Sequence, residues 1–212
     1  KVLVYGRAGF GKTRLCATAP APIIISAESG VLSLGTVRVP MIEVLSYKDF
    51  EDAYRWVIGS PEARQFRTFC IDSASEIAER CLEAEKKLSK DPRRAYGEMQ
   101  DKMLIGFKAF RDLPGVNVYF SCKEGMIQDG MTGANMFGPW MPGTKLGPAM
   151  PYLFDEIFRL EKYRAADNKE YPVLRTTGGV QHEGKDRSGA LDEFEHPNLT
   201  AIFDKIANRK AA

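Results

Sequence analysis

Eight consecutive residues, Gly6-Arg7-Ala8-Gly9-Phe10-Gly11-Lys12-Thr13, constrain this chain more than any other feature. They satisfy G-x-x-x-x-G-K-[ST] at every fixed position, with the apolar run Val2-Leu3-Val4-Tyr5 before them and a helix-compatible segment, Lys12 to Thr18, after them. Glycines let the backbone curl until successive N–H groups face one point, and a helix start adds a favourable dipole there, so the segment reads as a phosphate-binding loop. Lys12 brings a positive charge to the outer phosphates, and the Thr13 hydroxyl can bind Mg²⁺. The candidate contacts to a nucleoside triphosphate are therefore Gly6, Arg7, Ala8, Gly9, Phe10, Gly11, Lys12, Thr13 and Arg14.

A strand, a loop and a helix in that order imply a parallel sheet, and the first 120 residues keep the rhythm. Ile23-Ile24-Ile25-Ser26, Thr68-Phe69-Cys70-Ile71 and Val116 to Ser121 are apolar runs without alternation, the pattern of strands buried on both faces. Met41 to Leu45 is a shorter run of the same kind. Between them lie helices. Ser46 and Asp49 form a capping box with Leu45 and Phe50 at the staple positions, Ser73 and Glu76 offer a second box, and Pro20 and Pro22 stop the first helix. Ile77, Cys81, Ala84 and Leu88 predict one buried helical stripe, and Met99, Met103, Phe107 and Phe110 another. Ile157 to Leu160 and Pro172 to Arg175 read as two late antiparallel strands, followed by a helix with Leu199, Ile202, Phe203 and Ile206 on one side. The fold class expected is α/β, a mostly parallel central sheet flanked by helices with antiparallel C-terminal strands, built as a single domain over residues 1–212.

Residues 122 to 151 break this rhythm with six glycines, four prolines and five methionines. A connection that long, with no sustained periodicity, is uncommon in a compact domain and is usually either functional or mobile.

Two carboxylates fall where phosphate chemistry needs them. Asp72 ends an apolar strand, the usual place for a carboxylate that holds Mg²⁺, although a helix cap would also sit there. Glu28 follows the Ile23 strand and should emerge at the same sheet edge as the glycine loop, where it could orient or deprotonate an attacking water or simply be solvated.

Composition removes several alternatives. The chain of 212 residues is 44% apolar and 27% charged, with 30 basic against 28 acidic side chains and a net charge of +2. That balance excludes a chain coated in positive charge. The four cysteines, Cys16, Cys70, Cys81 and Cys122, contain no C-x-x-C pair and there are only two histidines, so no structural zinc is expected. No apolar run reaches the ~18 residues of a membrane span and no leader pattern is present, so the expected setting is reducing and cytoplasmic, without a membrane partner.

Beyond the loop, several further marks occur in order: Ile25-Ser26-Ala27-Glu28-Ser29-Gly30, Asp72-Ser73, Ser121-Cys122-Lys123-Glu124, Pro142-Gly143-Thr144-Lys145-Leu146-Gly147, Phe154-Asp155-Glu156-Ile157 and Lys185-Asp186-Arg187. With them the chain resembles the RecA-like ATPase core, and most of all the compact bacteriophage ATP-binding proteins, some of which are single-strand annealing recombinases. The resemblance spans nearly the whole chain. It implies ATP and Mg²⁺ as ligands, Glu28 as the water-activating glutamate, and one of Ser121, Cys122 and Lys123 as the group that senses the γ-phosphate. It also implies single-stranded DNA as a partner, a homo-oligomeric ring or filament, and Lys185 and Arg187 as a pair inserted into a neighbour's nucleotide site; a solvated turn is the other reading of that pair. Set apart from this pattern, Asp129 and Lys145 are the only charged residues from Gly125 to Pro151. Phe137, Trp140 and Tyr152 could stack on bases or pack the segment down. The alternative function is an ATPase working as motor or loader on another protein, without DNA binding of its own.

Overall fold

The computed structural model describes residues 1–28, 34–128, 133–166 and 168–209. Six strands run parallel in the order β7 (Glu156–Arg164), β1 (Val2–Gly6), β5 (Asn117–Gln128), β4 (Thr68–Asp72), β2 (Pro22–Ser26) and β3 (Met41–Glu43). Beyond β7 the sheet continues antiparallel through β8 (Glu170–Arg175) and β10 (Phe194–Glu195), while β6 (Asn135–Trp140) pairs with β5 and β9 (Lys185–Asp186) with the start of β7. The expected architecture is present, including the antiparallel pairing of Ile157–Leu160 with the second late strand.

The absence of alternation in the strands has a direct cause: both faces of the sheet are covered. Leu3, Ile25, Ile71 and Phe120 point into one core and Val2, Val4, Ile24 and Tyr119 into the other. The first core is closed by α2 (Tyr47–Gly59), α3 (Ala74–Leu88) and α4 (Pro92–Arg111), the second by α1 (Lys12–Cys16) and α6 (Leu199–Ala207). A short α5 (Leu146–Ala149) precedes β7. Aromatic rings link the layers of the first core: Phe50 stacks on Phe110 at 5.1 Å, and Phe120 meets Phe107 at 5.3 Å and Phe154 at 4.9 Å. Such pairs contribute about 0.5–1.5 kcal/mol each beyond the burial of their area.

Local signals hold in part. Ser46 and Asp49 form the capping box in both directions, but Leu45 is 59% exposed and does not staple the helix onto the buried Phe50. Met99, Met103, Phe107 and Phe110 are all buried. The stripe on α3 is different from the one expected. Ala84 and Leu88 face solvent, and Ala78, Leu82 and Glu85 take the buried positions, because Glu85 is held by Lys102 of α4. The first helix ends at Cys16, two residues short of Thr18, and the second capping box is half made: Ser73 accepts from the Glu76 N–H while the Glu76 carboxylate goes elsewhere.

The largest correction concerns residues 122 to 151. β5 continues past Ser121 to Gln128, returns as β6 in six registered pairs from Lys123↔Trp140 to Gln128↔Asn135, and runs into α5. The segment is built around a hairpin and is not an irregular connection, although residues 129–132 lie outside the described residues.

Candidate functional site

β1 delivers the glycine loop at the carboxyl edge of the sheet. Gly6 closes the strand against Leu160 of β7 so tightly that a Cβ would come within 2.6 Å of the Leu160 carbonyl oxygen. Gly9 and Gly11 have φ of 78° and 104°, where a side chain would strain the backbone. Lys12 folds back over the loop, donating from Nζ to the carbonyls of Gly6 at 2.7 Å and Arg7 at 3.1 Å. Burial lowers its pKa, with Glu28 and Asp72 pulling the other way. Arg7, Ala8, Gly9 and Arg14 are exposed and Phe10 half-buried, so the outer surface of the loop is open. α1 has only five residues, so its dipole adds little and the curled N–H groups carry the anion-binding character.

The strand order brings the second element in. β5 separates β1 from β4, and Asp72 at the end of β4 is completely buried next to it. The Thr13 hydroxyl donates to Asp72 Oδ2 at 2.7 Å, and the Ser121 hydroxyl donates to Oδ1. Burial raises the Asp72 pKa, while these two hydrogen bonds and Lys12 oppose it. Glu28 stands on the neighbouring strand end: the Ala27 N–H bonds the Asp72 carbonyl at 2.9 Å, and Ser73, the residue after Asp72, donates from its hydroxyl to Glu28 Oε1 at 2.6 Å. The Asp72–Ser73 peptide is cis. Arg80 of α3 holds the same loop by donating to the Ala27 carbonyl at 2.8 Å. Ser29 and Gly30 lie outside the described residues.

Gly6, Arg7, Ala8, Gly9, Gly11, Lys12, Thr13, Arg14 and Glu28 line one cleft of about 940 Å³ together with Ala27, Glu76, Arg80, Lys123 and Glu124. The group set fits a magnesium nucleotide. Mg²⁺ takes hard oxygen ligands, typically one or two carboxylates completed by phosphates and water. Thr13 and the charge-starved Asp72 supply such oxygens next to the glycine loop, and no cluster of three metal-ligating side chains occurs among the described residues.

A family model described as AAA domain matches residues 1–188. The chain belongs to the AAA domain family. No curated protein matches it. Among solved structures, a KaiC-like protein from the hyperthermophilic archaeon Pyrococcus horikoshii is 14% identical, with 87% of this chain and 82% of that one aligned and a TM-score of 0.42. A prototypical ATPase from the type III secretion system of pathogenic bacteria is 10% identical with a TM-score of 0.50 over 76% of this chain, which spans half the length of that protein. This second likeness is one of fold. Like its family, this AAA domain has an ATP-binding P-loop NTPase core.

Of the three candidate sensors, Ser121 and Cys122 are fully buried, and Lys123 alone lines the cleft. Lys123 is bonded to Glu76 at 3.0 Å and Glu79 at 2.5 Å. The aromatics of the hairpin are mostly used internally. Trp140 covers Gly125, where a Cβ would clash at 2.6 Å, and the Arg159 guanidinium sits 4.6 Å above Phe137; Tyr152 remains 86% exposed. Lys185 and Arg187 do not join the cleft. β9 pairs with Glu156 and Ile157 at the start of β7, the sheet end opposite Gly6; Lys185 donates to the Pro151 carbonyl and the exposed Arg187 reaches Asp155 at 3.4 Å.

Two parts of the site are given no role by the sequence. An apolar pocket of about 430 Å³, with Phe10, Leu15, Leu34, Val37, Leu160, Pro172 and Pro197 on its walls, adjoins Gly9, Gly11 and Arg14 and suits a nucleobase. Glu124, inside the phosphate cleft, is held at 2.8 Å by Arg159 of β7. Both are assembled from segments far apart in sequence, and nothing in local periodicity marks them.

Proposed function

We propose that this AAA domain hydrolyses ATP at the Gly6–Thr13 loop and applies the change of nucleotide state to another protein, as a motor or loader. The observation that carries this reading is the continuity of β5. The strand that lies between β1 and β4 at the phosphate cleft extends beyond both of them as one arm of a paired hairpin, so a displacement at the cleft can pass along it. In this reading Lys12 and the loop N–H groups bind the phosphates, Thr13 and Asp72 hold Mg²⁺, and Glu28, oriented by Ser73, positions and deprotonates water. Bound Mg²⁺ supplies Lewis-acid stabilisation of charge on the phosphate oxygens. Arg14 flanks the base pocket.

Oligomer formation belongs to the same reading. Lys185 and Arg187 stand at the far end of the sheet from their own loop, so a phosphate-directed role for them requires the cleft of an adjacent subunit in a ring or filament. Arg187 is 75% exposed on its turn, which supports such a reach.

Single-stranded DNA as the partner, and with it phage recombination, has less support. Strand binding gains affinity from several free cations and stacking rings. Lys123 lies inside the nucleotide cleft, bonded to two carboxylates, while Phe137 is capped by Arg159 and Trp140 is packed on Gly125. The deciding experiment measures steady-state ATP turnover and fluorescence anisotropy with labelled poly-dT, each with and without the other ligand. ATP turnover indifferent to poly-dT, with no anisotropy change, is the expected result. ATP-dependent poly-dT binding would restore the recombination reading, and failure to bind ATP would overturn both.

A further inference from the structure

Lys123 is the one cation of the cleft outside the glycine loop whose charge is shared between two carboxylates. Its position is set by register: it lies directly opposite Gly6, the first residue of the phosphate loop. Both its partners stand on α3, one helical turn apart, and Glu76 itself lines the cleft. The ammonium has three donors, of which Glu76 and Glu79 take two, and its flexible stem allows it to swing. Partial burial disfavours the Lys123 charge, but the bonds to Glu79 and Glu76 outweigh it and raise the pKa, so the group stays charged. Burial, together with Glu76 next to it, raises the pKa of Glu79. The trio is about one-third exposed, and solvent screening keeps ion pairs of that exposure weak. Charge-assisted bonds to a phosphate are about twice as strong as neutral ones, so a phosphate arriving in the cleft can compete for the same ammonium.

We propose that Glu76 and Glu79 form a resting berth for Lys123, which transfers to the terminal phosphate when a nucleoside triphosphate fills the cleft, so that α3 responds to the presence of that phosphate. The proposal rests on the nucleotide-site reading above. Departure of Lys123 leaves two like charges at i and i+3 on α3, an arrangement that destabilises a helix surface. The first turn of α3 is where that disturbance matters. Ser73 holds Glu28, and Ser75 accepts the Lys123 N–H while donating to the Trp140 carbonyl of β6. One side-chain transfer is thereby linked to the water-directed carboxylate and to the hairpin. A ligand shifts such an equilibrium only through its different affinity for the two states, which makes the prediction quantitative.

The experiment is calorimetry of ATPγS and ADP, each with Mg²⁺, on wild type, Glu79→Gln, Glu76→Gln, Lys123→Met and the double variant Glu79→Gln/Lys123→Met. Weakening the berth releases Lys123, so Glu79→Gln should tighten ATPγS by about 2- to 5-fold, the range of one such ion pair, and leave ADP unchanged. Glu76→Gln should act in the same direction and serves if Glu79→Gln does not fold. Lys123→Met should weaken ATPγS selectively and abolish the Glu79→Gln effect. A purely structural ion pair gives the opposite pattern: lower melting temperature, equal changes for both nucleotides or none, and an effect of Glu79→Gln that survives in the Lys123→Met background. Any of these nucleotide results overturns the berth. If ATPγS fails to bind wild type, or binds Lys12→Ala undiminished, the nucleotide-site reading falls and the berth falls with it. Lys12-dependent ATPγS binding that is indifferent to Glu79 and Glu76 removes the berth alone.

Discussion

The two ends of the parallel sheet both gather charge, and they do different things with it. At the carboxyl end the loop from Gly6 to Thr13 leaves its N–H groups and an open cleft, and Asp72 is buried without a full positive partner. At the amino end most of the charges are taken up by neighbouring groups of the protein itself. Asp186 accepts from the Ser188 hydroxyl and from the N–H groups of Gly189 and Leu191, Lys185 is bonded to a carbonyl, and Glu156 is buried against Asp186. Glu156 Oε2 has no hydrogen-bond partner, and burial with Asp186 alongside pushes the Glu156 pKa up to about 8. A cluster of ionisable groups is thus a weak sign of function; a backbone arranged around an unfilled space is a strong one.

The contrast breaks at once if the carboxyl end is dispensable. Lys12→Ala should abolish turnover and sharply weaken nucleotide binding, and unchanged steady-state ATP hydrolysis would remove the catalytic assignment. Next in size is Arg187→Ala. An arginine inserted across an interface is worth about 10³–10⁵ in rate, and mixing Lys12→Ala with Arg187→Ala subunits should recover part of the activity. No recovery in samples that sedimentation shows to be mixed oligomers would return Arg187 to the surface turn in which it sits. Glu28→Gln should retain ATP affinity and lose about 10²–10⁴ in turnover, the usual contribution of a general base; equal turnover would make Glu28 a solvated side chain. The smallest effect sharpens the amino end. Folded Glu156 keeps its proton to about pH 8, whereas the unfolded chain releases it near the ordinary value of 4.5, so the unfolded state binds fewer protons in between. Its share of stability therefore falls as pH rises from about 4.5 to 8. Glu156→Gln should flatten that slope and raise the melting temperature at pH 8, and an unchanged pH profile would mean that Glu156 is ionised in the fold.

How much of this was legible in the sequence depends on how local the cause is. The glycine loop, the Ser46 cap and the helical face from Met99 to Phe110 follow from neighbours within a few positions, and they formed as expected. The strand ends of Asp72 and Glu28 were legible because buried parallel strands leave unbroken apolar runs. The hairpin was not. Its glycines mimic a loop, yet Gly125 makes room for Trp140 and Gly138 for Ile127, across a pairing that local pattern cannot display. Pro139 is tolerated because β6 lies off the main path of the sheet, and the edge it turns away from β5 is bonded to Gln181 and Glu183 through Phe137 and not through Pro139. Leu88 misled for a related reason: Lys102, on another helix, draws Glu85 into the layer that periodicity assigns to leucine.

The length of β5 has a mechanical consequence. Its first half is clamped between β1 and β4, Lys123 still pairs with Gly6 of β1, and beyond Lys123 as far as Gln128 its one strand partner among the described residues is β6. Those five steps span about 17 Å at ~3.3 Å per residue. A tilt of about 5° at Lys123 would therefore sweep the Gln128 end through about 1.5 Å, a displacement the size of a bond length, while the clamped half stays in register. A stiff arm of this kind converts an angular change too small to disturb the core into a stroke at its far end, and shortening the arm by paired deletions would reduce the stroke in proportion.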